Sequence, residues 1–291
     1  MLFSSKYVIM NLGDYMDGIL PIYKEAGMTS HDVVMRLRRL LHISKIGHSG
    51  TLDPDATGVL LVLIGRATKA LPFLEDTDKE YIATMKLGAK TWSDDASGEV
   101  METKPITEID DFSKLLQKFV GKQKQLPPMV SSVKVNGRKL YEYARNHEIV
   151  ERPLRDIEIY EIECLDAARY QFRAACSSGT YIRSLCVDIA EKSGNLGCMD
   201  TLVRTRVGRF QLADCVTLEQ VANGEIPLFP LAKALAHYPQ LSYDPLADII
   251  QGKKIRLDCH EDEVALCNQE DVMAIYRREQ NDVFRCVRGL W

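Results

Sequence analysis

The sequence predicts an α+β fold in which helices flank a largely antiparallel mixed sheet. Helix-like and strand-like patterns are interspersed along the chain, and short turns typical of hairpins join several of the strand patterns. This order favours antiparallel pairing over the regular strand–helix alternation that produces a parallel sheet. The longest apolar run, residues 59–64, has the length of a strand. Because a membrane span needs about eighteen apolar residues, we expect none.

Each element is predicted from its own periodicity. Strands are predicted over residues 18–24, 79–87, 155–165 and 169–177. Helices are predicted from Ser30 as the N-cap residue, and over residues 111–120, 138–145 and 180–193. Gly121 and Gly194 are the expected stops of two helices, and Asn136-Gly137 predicts a tight hairpin turn.

The composition indicates a globular protein. A chain of 291 residues with 46% apolar and 27% charged residues can bury one large core and a small appendage. Residues 1–17 are interpreted as an N-terminal extension. They contain a single short apolar cluster and two acidic residues, so we expect neither a signal peptide nor a transit peptide and predict a cytoplasmic protein.

The cysteines argue against a metal centre. All eight lie in the second half of the chain, and no two are separated by only two residues. Zinc sites usually contain such close pairs, because two ligands then reach one ion from the same turn. We therefore expect no bound metal, and reduced, largely buried thiols rather than disulfides.

Residues 47–60, Gly-His-Ser-Gly-Thr-Leu-Asp-Pro-Asp-Ala-Thr-Gly-Val-Leu, are the most informative stretch. They place one carboxylate, that of Asp53, in a turn of small residues immediately before the apolar run. The glycines at 47, 50 and 58 are expected to allow positive φ or a close approach, and Pro54 fixes the direction in which the chain leaves Asp53. A carboxylate held in this way is a candidate nucleophile.

The same turn also fits Asp-x-Asp-x-Thr, the nucleophile motif of magnesium-dependent haloacid-dehalogenase-type phosphatases. In that arrangement the first Asp ends a buried strand and emerges at the carboxyl edge of a parallel sheet. Here polar residues 47–51 precede Asp53 and the apolar run follows it. The order is reversed, which argues against a phosphatase.

Residues 47–58 resemble the active-site signature of the TruB-type tRNA pseudouridine synthases. Further stretches are similar to motifs of that family in the same order, at residues 24–30, 79–81, 127–137, 179–183 and 204–210. The family's first motif usually reads Asp-Lys-Pro, whereas this chain has Tyr23-Lys24-Glu25. The departure leaves the role of Lys24 open.

The resemblance implies a pseudouridine-synthase-like fold and isomerisation of uridine 55 in the T loop of tRNA. Asp53 would be the catalytic residue, either adding to C1′ or taking a proton from C2′, and the sequence leaves both routes open. Arg183 would pair with Asp53. Tyr81 would stack on the flipped base, and its hydroxyl or a water would remove the C5 proton.

The remaining substrate contacts are also implied by the resemblance. His48 would stack beside the extruded base or fill the gap that it leaves, and Tyr181 and Leu202 would line the base pocket. Lys24 is included among the substrate-binding residues. No cofactor and no metal is implied, because the isomerisation is redox-neutral and uses no external group.

Net charge and charge distribution give opposing indications about RNA. The net charge of −4 and the isoelectric point near 5.9 argue mildly against a nucleic-acid partner. Basic residues nevertheless cluster beside the matched motifs, and binding depends on local potential. We therefore predict RNA-backbone contacts from Arg36, Arg39, Arg138, Arg145 and Arg209.

The predicted protein is a monomer that binds the T arm of tRNA. The competing class is a non-catalytic RNA-binding protein or tRNA chaperone on the same scaffold. Such a protein is expected to lack the carboxylate or its arginine, and both Asp53 and Arg183 are present.

Two domains are predicted. Residues 18–240 form the catalytic domain, and the segment 237–245, with two prolines, marks a boundary. Residues 246–291 form a small β-rich domain, which at under fifty residues is expected to dock on the first. Residues 251–255 are weakly similar to the PUA-like RNA-binding tail of the family.

Overall fold

The structure is a computed structural model, and it describes residues 16–74 and 78–291. Most of the predicted N-terminal extension therefore lies outside the described residues. The strands are β1 Gly18–Lys24, β2 Ile46–His48, β3 Thr57–Ile64, β4 Lys79–Leu87, β5 Ala89–Thr91, β6 Val100–Thr103, β7 Gly121–Gln125, β8 Lys134–Val135, β9 Arg138–Lys139, β10 Arg155–Asp166, β11 Gln171–Cys176, β12 Gly197–Val207, β13 Phe210–Gln211, β14 Gln240–Ser242, β15 Ile255–Arg256, β16 Glu263–Asn268, β17 Asp271–Gln280 and β18 Val283–Gly289. The helices are α1 Ser30–Leu41, α2 Phe112–Gln117, α3 Leu140–Arg145, α4 Ile182–Lys192, α5 Leu218–Ala222, α6 Leu231–Ala234 and α7 Leu246–Ile250.

The described residues form two compact units. One contains residues 16–54, 58–74 and 209–291, and the other contains residues 55–57 and 78–208. In the first unit β1 pairs antiparallel with β3, and β2 pairs antiparallel with β3. The apolar face of α1 packs on these strands, because its buried residues repeat at helical spacing.

The C-terminal part of the first unit is a five-stranded sheet with the order β14-β16-β17-β18-β15. Its residues Ala265, Val272, Ile275 and Leu290 are buried in one cluster with Leu63 and with Ala67 of the 3₁₀ turn Gly65–Lys69 that follows β3. Two side chains of that turn add polar contacts. Arg66 pairs with Asp17 and Asp271, and Lys69 donates to the carbonyl oxygen of Trp291.

The second unit is built on an antiparallel sheet with the order β12-β4-β11-β10-β7. Helix α4 packs close to the start of β12. A Cβ at Gly197 would stand 2.6 Å from the Cβ of Ala190, so only glycine fits at this approach. The predicted turn at Asn136-Gly137 joins β8 to β9, and both residues have positive φ, at 50° and 81°.

Most predicted elements are confirmed, including the largely antiparallel pairing within each unit. The predicted N-cap of α1 is wrong by one residue. Thr29 is the N-cap, since its hydroxyl accepts from the amide of Asp32 at 3.0 Å while the Asp32 carboxylate accepts from the Thr29 amide at 2.9 Å. The predicted helix 138–145 begins only at Leu140, because Arg138 and Lys139 form β9.

No helix among the described residues is long and apolar enough to span a membrane. All eight cysteines lie in described residues and none forms a disulfide.

Candidate active site

A buried lysine anchors the loop that carries Asp53. Lys24, at the end of β1, has no exposed surface, and its Nζ donates to the carbonyl oxygen of Pro54 at 2.8 Å and of Glu25 at 2.9 Å. A buried ammonium group needs such acceptors, because burial without them is costly. The bond to Pro54 restrains the residue that follows Asp53, so Lys24 helps to fix the loop. A substrate contact by Lys24 stays a prediction.

Two more residues of the same stretch anchor the loop. The amide of Gly27 donates to the carbonyl oxygen of Pro54 at 3.0 Å. The Ser30 hydroxyl, which is buried, accepts from the Leu52 amide at 2.8 Å and donates to the Leu52 carbonyl at 3.1 Å. Ser30 can make these bonds because Thr29 caps the helix. Asp53 therefore lies between two residues whose backbone groups are tied down.

Asp53 and His48 are both half-buried. His48 ends β2 and stands opposite Val62 of β3. Among the three glycines of this stretch, only Gly58 has positive φ, at 108°. Gly47 lies within β2, where a Cβ would stand 3.9 Å from Cγ2 of Thr68, which is ordinary contact. The positive φ that the sequence allows at three positions is used at one.

In the second unit, Tyr81 and Leu202 lie on adjacent strands. Tyr81 on β4 stands opposite Arg204 of β12, and Ala83 stands opposite Leu202. Since alternate residues of a strand share a face, Tyr81, Leu202 and Arg204 lie on one face of the sheet. All three are buried, with 6% of Tyr81 exposed. The structure therefore brings the residue predicted to stack on the base close to one of those predicted to line the base pocket, and adds Arg204, which is not among the predicted site residues.

Tyr181 and Arg183 lie at the start of α4. Gln125, which is buried, accepts from the Tyr181 amide at 2.8 Å and donates to the Tyr181 carbonyl at 3.0 Å, so a side-chain amide from β7 fixes this turn. Arg183 is only 5% exposed, and its guanidinium donates to the carbonyl oxygens of Ser93 at 2.8 Å and Val130 at 2.9 Å. These bonds hold the guanidinium in a defined orientation.

Charged groups near the predicted site have shifted pKa values. Burial raises the pKa of Asp94, against the opposing charges of Arg183 and Arg152. Lys79, two residues before Tyr81, donates through Nζ to the Ser178 hydroxyl at 3.1 Å. Burial, together with the charge of Arg204, lowers the pKa of Lys79 to about 8. Such shifts are concentrated at functional sites in proteins.

The five arginines predicted to contact the RNA backbone differ in their surroundings. Arg36 and Arg39 are exposed on α1, and Arg209 is exposed with its guanidinium 5.2 Å from the Phe229 ring centroid. Arg145 is exposed beside the Tyr141 ring. Arg138 makes two bonds to the Glu148 carboxylate, at 3.1 and 3.2 Å. Arg138 is thus the one of the five with a carboxylate partner among the described residues.

Family models match most of the chain between the first helix and α5. Residues 38–182 match the N-terminal domain of the TruB family pseudouridylate synthases, and residues 183–226 match the C-terminal domain of tRNA pseudouridylate synthase B. The fold and the matched stretches thus define a pseudouridine synthase, an RNA-modifying isomerase.

Similar proteins narrow the class. The chain is 43% identical over 281 residues to the tRNA pseudouridine synthase B of Oceanobacillus iheyensis, covering 90% of this chain and 93% of that protein. It is 41% identical over 283 residues to the tRNA pseudouridine synthase B of Streptococcus pneumoniae, covering 91% and 97%. The chain belongs to the TruB family of tRNA pseudouridine synthases. The predictions of the family and of an isomerase that forms pseudouridine in tRNA are confirmed.

Solved structures support the predicted fold. A chain of a Cbf5-Nop10-Gar1 complex aligns with a TM-score of 0.67 and 25% identity, covering 94% of this chain and 85% of that one. A chain of an H/ACA RNP bound to a substrate RNA aligns with the same TM-score at 23% identity, with the same coverage. The predicted α+β, pseudouridine-synthase-like fold with a β-rich C-terminal part is confirmed. The roles of individual site residues and the domain boundaries stay predictions.

Proposed function

We propose that this protein isomerises uridine 55 in the T loop of tRNA to pseudouridine, with Asp53 as the catalytic carboxylate. The observation that supports this most strongly is the anchoring of the Asp53 loop by Lys24, Gly27 and Ser30. Four bonds to backbone groups on both sides of one carboxylate are expected where that carboxylate must be held in one orientation for chemistry.

The reaction makes and breaks one bond at the same carbon. The bond from N1 to C1′ breaks, the uracil rotates, and C5 bonds to C1′; the C5 proton leaves and N1 takes up a proton. Asp53 either adds to C1′ or removes a proton from C2′. Arg183, with its guanidinium fixed by two carbonyl oxygens, is suited to pair with a carboxylate.

The aromatic residues have separate roles in the proposal. Tyr81 stacks on the flipped base, and its hydroxyl or a water takes the C5 proton. Tyr181 and Leu202 line the base pocket, and His48 stacks beside the extruded base. Burial of Tyr81 and Leu202 on one sheet face supports an apolar wall for a planar base.

The test of Asp53 uses a T-arm stem-loop labelled with tritium at C5 of the target uridine. Asp53→Asn should lower kcat by more than about a thousandfold, since the amide cannot act as nucleophile or base, while the Kd for the stem-loop stays nearly unchanged. Asp55→Asn is the matched control, because Asp55 is an exposed carboxylate of the same turn. Turnover by Asp53→Asn equal to that of Asp55→Asn would remove Asp53 from the mechanism.

Tyr81→Phe separates stacking from proton removal. The ring is kept, so binding should persist, while tritium release should slow by about a hundredfold or more if the hydroxyl is the base. Normal release would assign the proton to water. Wild-type protein that binds the stem-loop without any tritium release would instead support the non-catalytic tRNA chaperone.

The position of the modified uridine and the oligomeric state of the protein are tested in separate experiments. Chemical mapping of pseudouridine in a full tRNA transcript should give one modified position, uridine 55, and a second position in another arm would contradict the T-loop specificity. We also propose that the protein acts as a monomer, and analytical ultracentrifugation should then give a single species of 32.9 kDa.

A further inference from the structure

The second unit contains a pocket beside the start of α4 that no role described above explains. Its volume is about 420 Å³, and it is lined by residues 153–156 at the start of β10 and by Ser178 and Gly179 before α4. Gly179 has φ of 91°, and a Cβ there would meet nothing within 4 Å, so the pocket is open at this backbone position. Gly179 lies four residues before Arg183. The pocket therefore adjoins the turn that carries the predicted substrate contacts.

The pocket has a buried cation behind it. Lys79 is 8% exposed, and its Nζ donates to the Ser178 hydroxyl that lines the pocket. Because Ser178 accepts from Lys79, its own proton is directed elsewhere and can be donated to a ligand. Burial, together with the charge of Arg204, lowers the pKa of Lys79 to about 8, against the opposing charge of Asp78.

The pocket mouth is also positively charged. Arg155 is exposed there. The carboxylate in the lining, that of Asp156, is exposed and pairs with Lys124 on β7 at 3.1 Å, which offsets its charge. A hydroxyl donor, a guanidinium and an open backbone position together match an oxyanion.

We propose that this pocket binds a backbone phosphate of the RNA next to the target nucleotide, with the Arg155 guanidinium and the Ser178 hydroxyl as donors. The proposal rests on the proposed function, because it takes the RNA strand to continue from a uridine held near Tyr181 and Arg183. A phosphate held here fixes the strand on one side of the flipped nucleotide. The contact acts on binding and not on the chemical step.

The variants are Arg155→Gln and Ser178→Ala, with Arg169→Gln as the control. Arg169 is an exposed arginine in the turn of the same β10–β11 hairpin and pairs with Asp166 at 3.7 Å. Arg155→Lys keeps the charge at the pocket. Thermal unfolding of each variant establishes that it is folded before binding is measured.

Binding to the T-arm stem-loop is measured at several salt concentrations. Arg155→Gln should lower the slope of log K against log salt by about one, since one phosphate is no longer neutralised, and Arg155→Lys should restore it. KM should rise about two- to fivefold, the range of an exposed charge pair, with kcat nearly unchanged. Ser178→Ala should raise KM without changing the slope. Arg169→Gln should leave both quantities unchanged.

Neutral linkages identify the phosphate directly. Each stem-loop carries one methylphosphonate linkage, which is uncharged, and the adjoining 2′-hydroxyl is replaced by hydrogen. The control stem-loop has the same 2′-deoxy nucleotide with an ordinary phosphate. Replacing one phosphate beside the target uridine by the neutral linkage should weaken binding of the stem-loop to the wild-type protein but not to Arg155→Gln. The proposal is overturned if Arg155→Gln behaves like Arg169→Gln, or if every linkage weakens both proteins equally. Absence of tritium release by wild type would reject the proposed function alone, since the linkage result is read from binding.

Discussion

Basic residues of the C-terminal sheet and those of the α1 and α3 regions differ in how their charges are compensated. Of the seven Lys and Arg residues at 246–291, all but Arg285 and Arg288 lie within 4 Å of a carboxylate of the described residues. The pairs are Lys253–Asp248, Lys254–Glu279, Arg256–Asp282, Arg277–Glu263 and Arg278–Asp262. Arg36, Arg39 and Arg145 make no ion pair within the part of the chain that the structure describes.

The number of basic residues in a region therefore differs from the positive charge that is available to bind a ligand. A cation that already pairs with a carboxylate gives up that pair, or shares it, when it binds a phosphate, so its net contribution to RNA affinity is small. Arg36 and Arg39 of α1 and Arg145 of α3 do not have this competing partner among the described residues, whereas Arg138 of β9 does. We therefore expect salt-dependent RNA binding from α1 and α3, and mainly a stabilising role for the C-terminal sheet.

The largest effect is expected on stability. Leu290 is fully buried in the cluster that joins the C-terminal sheet to Leu63 and the 3₁₀ turn after β3. Leu290→Ala should lower the free energy of unfolding by about 2–5 kcal/mol, because it leaves a cavity in that shared cluster. The slope of log K against log salt should not change. Urea unfolding and a salt titration of stem-loop binding measure the two quantities.

Leu266→Ala is the matched control for this variant. Leu266 is also fully buried, but in the cluster inside the C-terminal sheet. Both variants should unfold in one transition if the sheet and the β1–β3 segment share their stability. A separate early transition of the C-terminal sheet would instead favour the independent domain predicted for residues 246–291.

A smaller effect is expected on RNA binding. The double variant Arg36→Gln, Arg145→Gln should raise KM for the stem-loop and lower the salt slope by about one to two, with kcat nearly unchanged. The double variant Arg256→Gln, Arg277→Gln removes the same number of charges from the C-terminal sheet. It should change the slope by less than half as much. Equal slopes for the two variants would remove the distinction between the two regions.

The smallest effect is expected at Glu148. Its carboxylate accepts two bonds from Arg138 and one from Asn146, and these bonds lower the pKa of Glu148. Glu148→Gln should release Arg138 for phosphate and tighten stem-loop binding by less than about fivefold. Adding Arg138→Gln should abolish the gain, which a double-mutant cycle by fluorescence titration detects. A gain that persists without Arg138 would come from the lost negative charge alone.

Local chemistry explains which parts of the fold the sequence predicts. The β4 strand is predictable because its apolar and polar residues alternate. The turn at Asn136-Gly137 is predictable because both residue types tolerate positive φ. Both signals lie in neighbouring positions of the chain. The cap of α1 is misassigned because Thr29 and Ser30 are both good cap residues, and only the reciprocal bond with Asp32 distinguishes them.

The sequence predicts the residues of the candidate site but not the hydrogen bonds that hold them in place. Motif similarity selects Asp53, Tyr81 and Arg183 for testing. The bonds from Lys24 to Pro54 and between Gln125 and Tyr181 join positions 30 and 56 residues apart, so no local pattern contains them. The departure at Tyr23-Lys24-Glu25 leaves the lysine in place, which is the residue that the loop anchor uses.

The anchor of the Asp53 loop makes its opening measurable in time. The amides of Gly27 and Leu52 are both donated into that anchor, to the Pro54 carbonyl and the Ser30 hydroxyl. Each can exchange with deuterium only when its bond breaks, so the two amides report one motion from two sides. Equal exchange rates would mean that both hydrogen bonds break in one concerted opening of the loop. The exchange rate of each amide, measured with and without RNA, would then show whether RNA binding slows this opening.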